Sequence, residues 1–383
     1  MTALRAVLAL AVFAGLFWSA IPQPADAGFR PEATGYRVLE PIRHGNLAIF
    51  PVIAATTFDT SRFLTLDEGL ASGEVVVTEA GQVRPLIRGP RTRPVPQSGS
   101  GEVNRLVLVN NSSRPLLLLA GEIVTGGKQD RVVGKDRIIP AHGDADLSVF
   151  CVEPGRWTAT SDRFQAYDGN MAQPSVRAKA MGDKDQQKVW EEVHKSNQGM
   201  AEMVAAAPSG GIGAGSGGGI GSSESRRRAA AEIASTSSYA RVMANDEVKK
   251  RMDEAVAPIA GPRSDVLRRL RAQKAVGVVV AVNGRIIWAD LFASTDLLSA
   301  YWEKLVRSYA AEALTGSGTR FAGVSLKAAQ AFLDDFEGTR QVVETEPGVF
   351  RHTEVSGQGF RAFELTSLLP KTGFDLHLSK MAE

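Results

Sequence analysis

Val276-Gly277-Val278-Val279-Val280-Ala281-Val282-Asn283-Gly284-Arg285-Ile286-Ile287-Trp288-Ala289 is the stretch on which the fold turns. Two apolar runs flank Asn283-Gly284, a pair that tolerates the two positive-φ residues of a type I′ turn, so a β-hairpin is predicted. After Ser294-Thr295-Asp296, a helix start, Leu298, Trp302, Leu305, Tyr309 and Ala313 recur on one face at helical spacing. Gly316 is expected to stop that helix with a positive φ. A second helix is predicted from Ser325 to Gly338, turning Leu326, Ala329, Phe332, Leu333 and Phe336 inward. Strands from Arg340, Gly359 and Phe374 close the chain. Sheet and helix mixed with hairpins indicate an α+β fold.

Towards the N-terminus the pattern changes to short strands broken by turns. Leu47–Ile53 and Glu74–Thr78 are the first candidates. Val103–Val109 and Pro115–Leu119 flank Asn110-Asn111-Ser112-Ser113 and read as an antiparallel hairpin. Leu116-Leu117-Leu118-Leu119 is apolar on both faces and should be covered on both sides. Arg131–Val133, Arg137–Ile139 and Leu147–Val152 continue the series, which argues for a β-sandwich or open barrel. Between Arg84 and Gly101 a Pro-, Gly- and Arg-rich stretch reads as an exposed loop. The centre reads as helical: Ser175–Met200 with a thin apolar stripe, then Arg226–Ala257 as one helix, or as two that break at Asn245-Asp246, where an Asx residue offers a new cap. Eight glycines between Gly210 and Gly221 mark a flexible linker. The expected organisation is therefore 1–27 signal peptide, 28–165 β-rich, 166–207 helical, 208–225 linker and 226–383 α+β.

The chain has 383 residues, 44 Lys and Arg against 42 Asp and Glu, and 44% hydrophobic residues. A net charge of +2 provides no global basic field for nucleic acid. One cysteine excludes an internal disulfide framework. Cys151 lies in the apolar run Leu147–Val152 and reads as a buried core thiol. Arg5 precedes 13 apolar or small residues, Ala6–Trp18, and a polar stretch ends in Ala25-Asp26-Ala27. That is the anatomy of a secretory signal peptide cleaved near Ala27. Thirteen helical residues span ~20 Å, short of a ~30 Å hydrocarbon core, and no later stretch is long enough. The mature chain is expected to be exported, periplasmic or extracellular, with no membrane span.

No nucleophile elbow or zinc-protease helix motif is present. Gly121–Gln129 approaches a phosphate-binding loop, but its glycines are mis-spaced and Gln129 stands where a hydroxyl is required. No cofactor is called for. The densest polar group is Lys128, Gln129, Asp130 and Arg131, which the Gly126-Gly127 turn is expected to present together for an anionic or polyhydroxylated ligand. Glu153, Arg156 and Trp157 form a second candidate binding wall. His142, Asp144 and Asp146 share one face if extended and give a weak metal alternative. The leading expectation is a non-catalytic envelope module that binds such a ligand or another envelope protein. The alternative is a hydrolase with Glu122 or Asp130 as acid or base and Lys128 and Arg131 as electrostatic stabilisers.

The texts of Phe63–Leu70, Asn104–Arg131 and Val276–Phe292, above all Leu119-Ala120-Gly121-Glu122-Ile123-Val124-Thr125-Gly126-Gly127-Lys128-Gln129-Asp130-Arg131, resemble the ARG and rhodanese-phosphatase-superfamily-associated protein domain family. The resemblance spans about residues 36 to 383. It implies that both halves belong to one unit, and it carries over no catalytic residue.

Overall fold

The computed structural model describes residues 35–79, 105–155, 161, 163–206, 219–316 and 323–383. The hairpin forms as read. Ala275–Val282 and Arg285–Phe292 pair antiparallel, and Asn283 and Gly284 take φ of 53° and 75°. Leu47–Ile53 does not join the β-rich half as expected. It pairs along its length with Ala275–Val282, because a strand apolar on both faces is satisfied wherever both faces are covered. Among the described residues these strands belong to a nine-stranded sheet that ends in Gly338–Glu346, Phe350–Gly357, Phe360–Ser367 and Asp375–Ala382.

Strand alternation splits that sheet's side chains between two cores. Val278, Val280 and Trp288 join Leu298, Leu305 and Tyr309 of helix Thr295–Thr315. Val279, Ala281 and Leu291 face Ala329 and Leu333 of helix Leu326–Asp334 on the other side. Ser294 and Ser325 cap these helices through their side chains. Two helix ends differ from expectation. Gly316 has φ −76°, and its glycine is required by space: a Cβ would stand 2.7 Å from Asn283 Nδ2. The second helix ends at Asp334, and Gly338 opens the next strand. There Lys380 Nζ donates to the Phe332 and Asp335 carbonyls and lies 3.8 Å from the Phe360 ring centroid, compensating the helix's negative end.

In the N-terminal half, Val75–Glu79, Arg105–Asn110, Glu122–Thr125, Arg131–Val133, Asp144–Cys151 and Arg163–Met171 form a barrel that is closed, not open. Val75, Val77, Leu106, Leu108, Val149 and Phe164 help fill it. The expected hairpin across Asn110–Ser113 is absent. Asn110 Nδ2 donates to the carbonyls of Arg114, Ile139 and Pro140, which turns the chain out of the barrel. Leu116–Leu118 pairs instead with Arg137–Ile139 and Leu64–Thr65 in a small separate sheet. The leucine quartet is covered on both sides: Leu116 and Leu118 enter the barrel core, Leu117 and Leu119 the main core.

Between the halves run helices Pro174–Ala178, Gln186–Ala206, Gly219–Ser235, Tyr239–Ala244, Asp246–Ala260 and Val266–Ala272. Asn245 caps the fifth, as its sequence position indicated. Helix Gly219–Ser235 begins inside the stretch read as linker, and Arg163–Met171 carries the β-rich part past residue 165. The signal-peptide segment, Arg84–Gly101 and residues 208–218 lie outside the described residues. No helix among the described residues is long and apolar enough to cross a membrane.

Candidate functional site

Most of the segment Leu117–Asp136, which carries two of the barrel strands, is buried, and two charged clusters close on it. Asp290 sits in the middle of strand Arg285–Phe292, on the face turned toward the helices. Arg177, on helix Pro174–Ala178, grips it with two parallel bonds of 2.9 Å. The guanidinium also lies 4.4 Å over the Trp288 ring. It reaches this position because residue 121 is glycine: a Cβ there would stand 2.6 Å from Arg177 Cγ. Tyr309 donates to Asp290 at 2.5 Å, and His377 Nε2 stands 3.3 Å from its other oxygen. His377 Nδ1 meets Asp136 at 2.5 Å, and Asp136 accepts the Ala120 amide at 2.7 Å.

Asp136, Arg177, Asp290 and His377 are all fully buried. Burial alone would raise the Asp290 pKa, but Arg177 and His377 outweigh it and hold the carboxyl well below the usual carboxylate range. Burial would likewise lower His377, yet Asp136 and Asp290 push it up to about 9, so it is an imidazolium at neutral pH. The chain Asp136–His377–Asp290–Arg177 is a sealed alternation of charge. Its members come from three elements and from the turn between strands Arg131–Val133 and Arg137–Ile139, and it ties the barrel to the sheet.

The second cluster opens outward. Lys304, on helix Thr295–Thr315, reaches Glu122 Oε1 at 2.6 Å and Asp67 Oδ2 at 2.8 Å. Glu122 Oε2 accepts the Leu119 amide at 2.8 Å, and Tyr301 donates to the Leu117 carbonyl at 3.0 Å. Burial pushes the Glu122 pKa up against Lys304's pull, while burial's downward effect on Lys304 is overcome by its two carboxylates. Glu122 is fully buried, but the Asp67 side chain is 40% exposed. It stands in the first turn of helix Leu66–Ala71, where the Thr65–Glu68 capping box fixes the helix start. Asp67 thus edges a cleft of about 530 Å³, lined chiefly by Leu70, Ala71, Val76, Phe164 and Ala166, with Arg163 also on its wall.

The match to a family model runs over residues 35–381, through both halves and both clusters. The chain belongs to the ARG and rhodanese-phosphatase-superfamily-associated protein domain family. No curated protein and no solved structure matches it. The stretch Leu119–Arg131, which carried the resemblance to this domain, is largely the buried seam just described.

That location corrects the reading of Gly126–Arg131 as an outward-facing polar turn. Of its side chains Lys128 is exposed, whereas Gln129, Asp130 and Arg131 are buried. Asp130 accepts the Gly126 amide at 3.1 Å, and Glu153, also buried, accepts the Asp130 amide at 3.4 Å. Gly127 allows the turn to press on the barrel, since a Cβ there would lie 2.3 Å from Phe164 Cζ. The four residues are therefore not presented together. Glu122 opens strand Glu122–Thr125, whereas Asp130 lies beyond the turn at its far end, opposite Thr125 in the register and roughly 10 Å along the strand from Glu122.

Arg156 and Trp157 lie outside the described residues. His142 is exposed at φ 52°, Asp144 and Asp146 are half-buried, and no described group of three His, Cys, Asp or Glu side chains could hold a metal. Cys151 is buried, with its backbone amide and carbonyl clipped by the Gln186 side chain at 2.9 Å each. Sequence reasoning missed Asp67, Arg177, Asp290, Lys304 and His377. Two of them carried a usable signal: Ala289-Asp290-Leu291 and Leu376-His377-Leu378 each set one ionisable residue inside an apolar strand, where it must find a partner, as Gly121-Glu122-Ile123 does for Glu122.

Proposed function

We propose that this protein is a non-catalytic binding module of the cell envelope, exported by its N-terminal segment, and that it holds its ligand or partner in the cleft beside Asp67. The observation that carries the reading is the cleft itself. It is apolar along its walls and has charged groups, Asp67 and Arg163, at its lining, the usual make-up of a ligand site. Its volume of about 530 Å³ is in the range of such sites. The ionisable groups with displaced pKa values near the seam are by contrast spent on one another: His377 on two aspartates, Glu122 on Lys304 and the Leu119 amide. The separation of Glu122 from Asp130 also gives a single acid–base pair no common substrate atom to act on. Export rests on the signal-peptide anatomy of Arg5–Ala27.

The test is mass spectrometry of small molecules and peptides retained by protein purified from its native envelope, run beside the Ala71→Trp variant. Ala71 is exposed at the cleft wall, so the indole fills the cleft without entering a core. Retention of a compound by the native protein and its loss from the variant is the expected result. Equal retention by both, or turnover of the retained compound, contradicts the reading.

A further inference from the structure

The chain's small net charge hides a local excess. Residues 263–274 hold five cations, Arg263, Arg268, Arg269, Arg271 and Lys274, against one carboxylate, Asp265, inside a chain whose total is only +2. All five cations are exposed. Arg268 and Arg269 stand 3.6 and 3.4 Å from Asp265, yet their side chains remain 81% and 59% exposed, and surface pairs of this kind hold weakly. Arg271 Nε donates to Ser299 Oγ at 3.0 Å, and among the described residues no carboxylate pairs with Arg263, Arg271 or Lys274. The backbone beneath is fixed. Val266 and Leu270 of helix Val266–Ala272 are buried in the main core. The Ser264 hydroxyl donates to the Ile259 carbonyl and accepts the Val266 amide, and the Lys274 amide closes on the Arg271 carbonyl at 3.0 Å. At 3.6 residues per turn, Arg271, Arg268 and Arg269 fan over about 160° of the outward side, around the exposed Ala272.

A helix face that serves only solubility mixes both signs of charge. Here every outward position of the helix is an arginine except Ala272, and Arg268 and Arg271 are like charges at i,i+3, an arrangement that costs stability in water and that a bound anionic surface relieves. We infer that this ridge docks the protein on an anionic phospholipid bilayer. Its cations diverge from a convex helix, so they reach separate headgroups on a plane instead of converging on one anion. Each Lys or Arg near such a surface adds attraction, and salt screens it. No described helix can cross a bilayer, so the association is adsorbed and reversible. The ridge shares no residue with the cleft beside Asp67, and docking does not depend on what the cleft holds.

The experiment sediments the full chain with phosphatidylcholine vesicles, with and without phosphatidylglycerol, at low salt and at about 1 M, where the screening length falls to ~3 Å. Binding is expected only to the phosphatidylglycerol vesicles at low salt. Changing Arg268→Glu and Arg271→Glu together should weaken it by about tenfold or more, with the melting temperature held within about 2 °C because both side chains are exposed. The pair Arg268→Gln and Arg271→Gln should fall between that variant and the native chain. Lys249→Glu with Lys250→Glu, exposed at the start of helix Asp246–Ala260, changes the net charge as much as the arginine reversal and should bind within about twofold of the native chain. No binding to phosphatidylglycerol vesicles, equal binding to neutral ones, or equal losses from the lysine and arginine reversals overturns the inference. Binding of soluble polyphosphate without binding of vesicles also overturns it, and makes the ridge a site for a linear polyanion.

Discussion

Two charged clusters meet at neighbouring residues of one chain segment, and they differ in a single respect. The Asp136–His377–Asp290–Arg177 chain takes its anchor from the Ala120 amide and is sealed from water. The Glu122–Lys304–Asp67 chain takes its anchor from the Leu119 amide and ends in a half-exposed carboxylate at the wall of a cleft. Similar side chains thus do different work according to where the last one stops. A sealed network fixes how elements of both halves dock; an open one brings the docking seam to the wall of the cleft.

The contrast predicts its largest effect at the sealed cluster. Arg177→Met leaves the buried Asp290 with only Tyr309 and His377 and should cost about 3–5 kcal/mol in urea unfolding, the usual loss when one partner of a buried pair is removed. A loss under about 1 kcal/mol breaks the comparison.

The pH dependence should follow with the same origin. The folded pKa of His377, about 9, lies above its ordinary 6.5, so its stabilisation is complete below about 6.5 and is lost as pH rises through about 9. On the order of 3 kcal/mol should disappear across that window, and His377→Asn should flatten the alkaline limb. His352 acts at the other end. Burial lowers its pKa to about 4, so the unfolded chain takes up the proton first and stability falls as pH drops from about 6.5 to about 4. His352→Leu should remove that acid limb while leaving the alkaline one unchanged.

Smaller effects sharpen the boundary between seam and surface. Arg131→Gln should cost about 1–3 kcal/mol because Arg131 is buried, whereas Lys128→Gln, three residues away and exposed, should stay within about 0.5 kcal/mol. Equal effects would return Gly126–Arg131 to the solvent. Cys151→Ala should lose about 1 kcal/mol, and the native thiol should resist alkylation until urea unfolds the chain. Rapid labelling of the folded protein would place Cys151 outside the core.

What the sequence disclosed was local. Asn283-Gly284 set its hairpin, Ser294, Ser325 and Asn245 set helix starts, and the α+β class follows from their order. Long-range partners were not legible. Leu47–Ile53 and Val75–Glu79 are both apolar strands, and nothing in either says that one joins the sheet and the other the barrel. The same limit hid the site. Charged residues in a glycine turn ordinarily face water, which put Gln129, Asp130 and Arg131 on the wrong side. Lys304 and Asp67 sit in helices among other polar residues, and Lys304 is 182 residues from Glu122 in sequence. The lone ionisable residues within apolar strands were the readable trace of the seam.

Amide hydrogen exchange by NMR at Leu119 and Ala120 tests the central contrast most directly, because these adjacent amides are held one by each cluster. The account predicts that Ala120 exchanges only through global unfolding. Leu119 should exchange faster through opening at the Asp67 side, and Ala71→Trp should slow it selectively. Equal protection of the two amides, or faster exchange at Ala120, would contradict the division into a sealed scaffold and an open site.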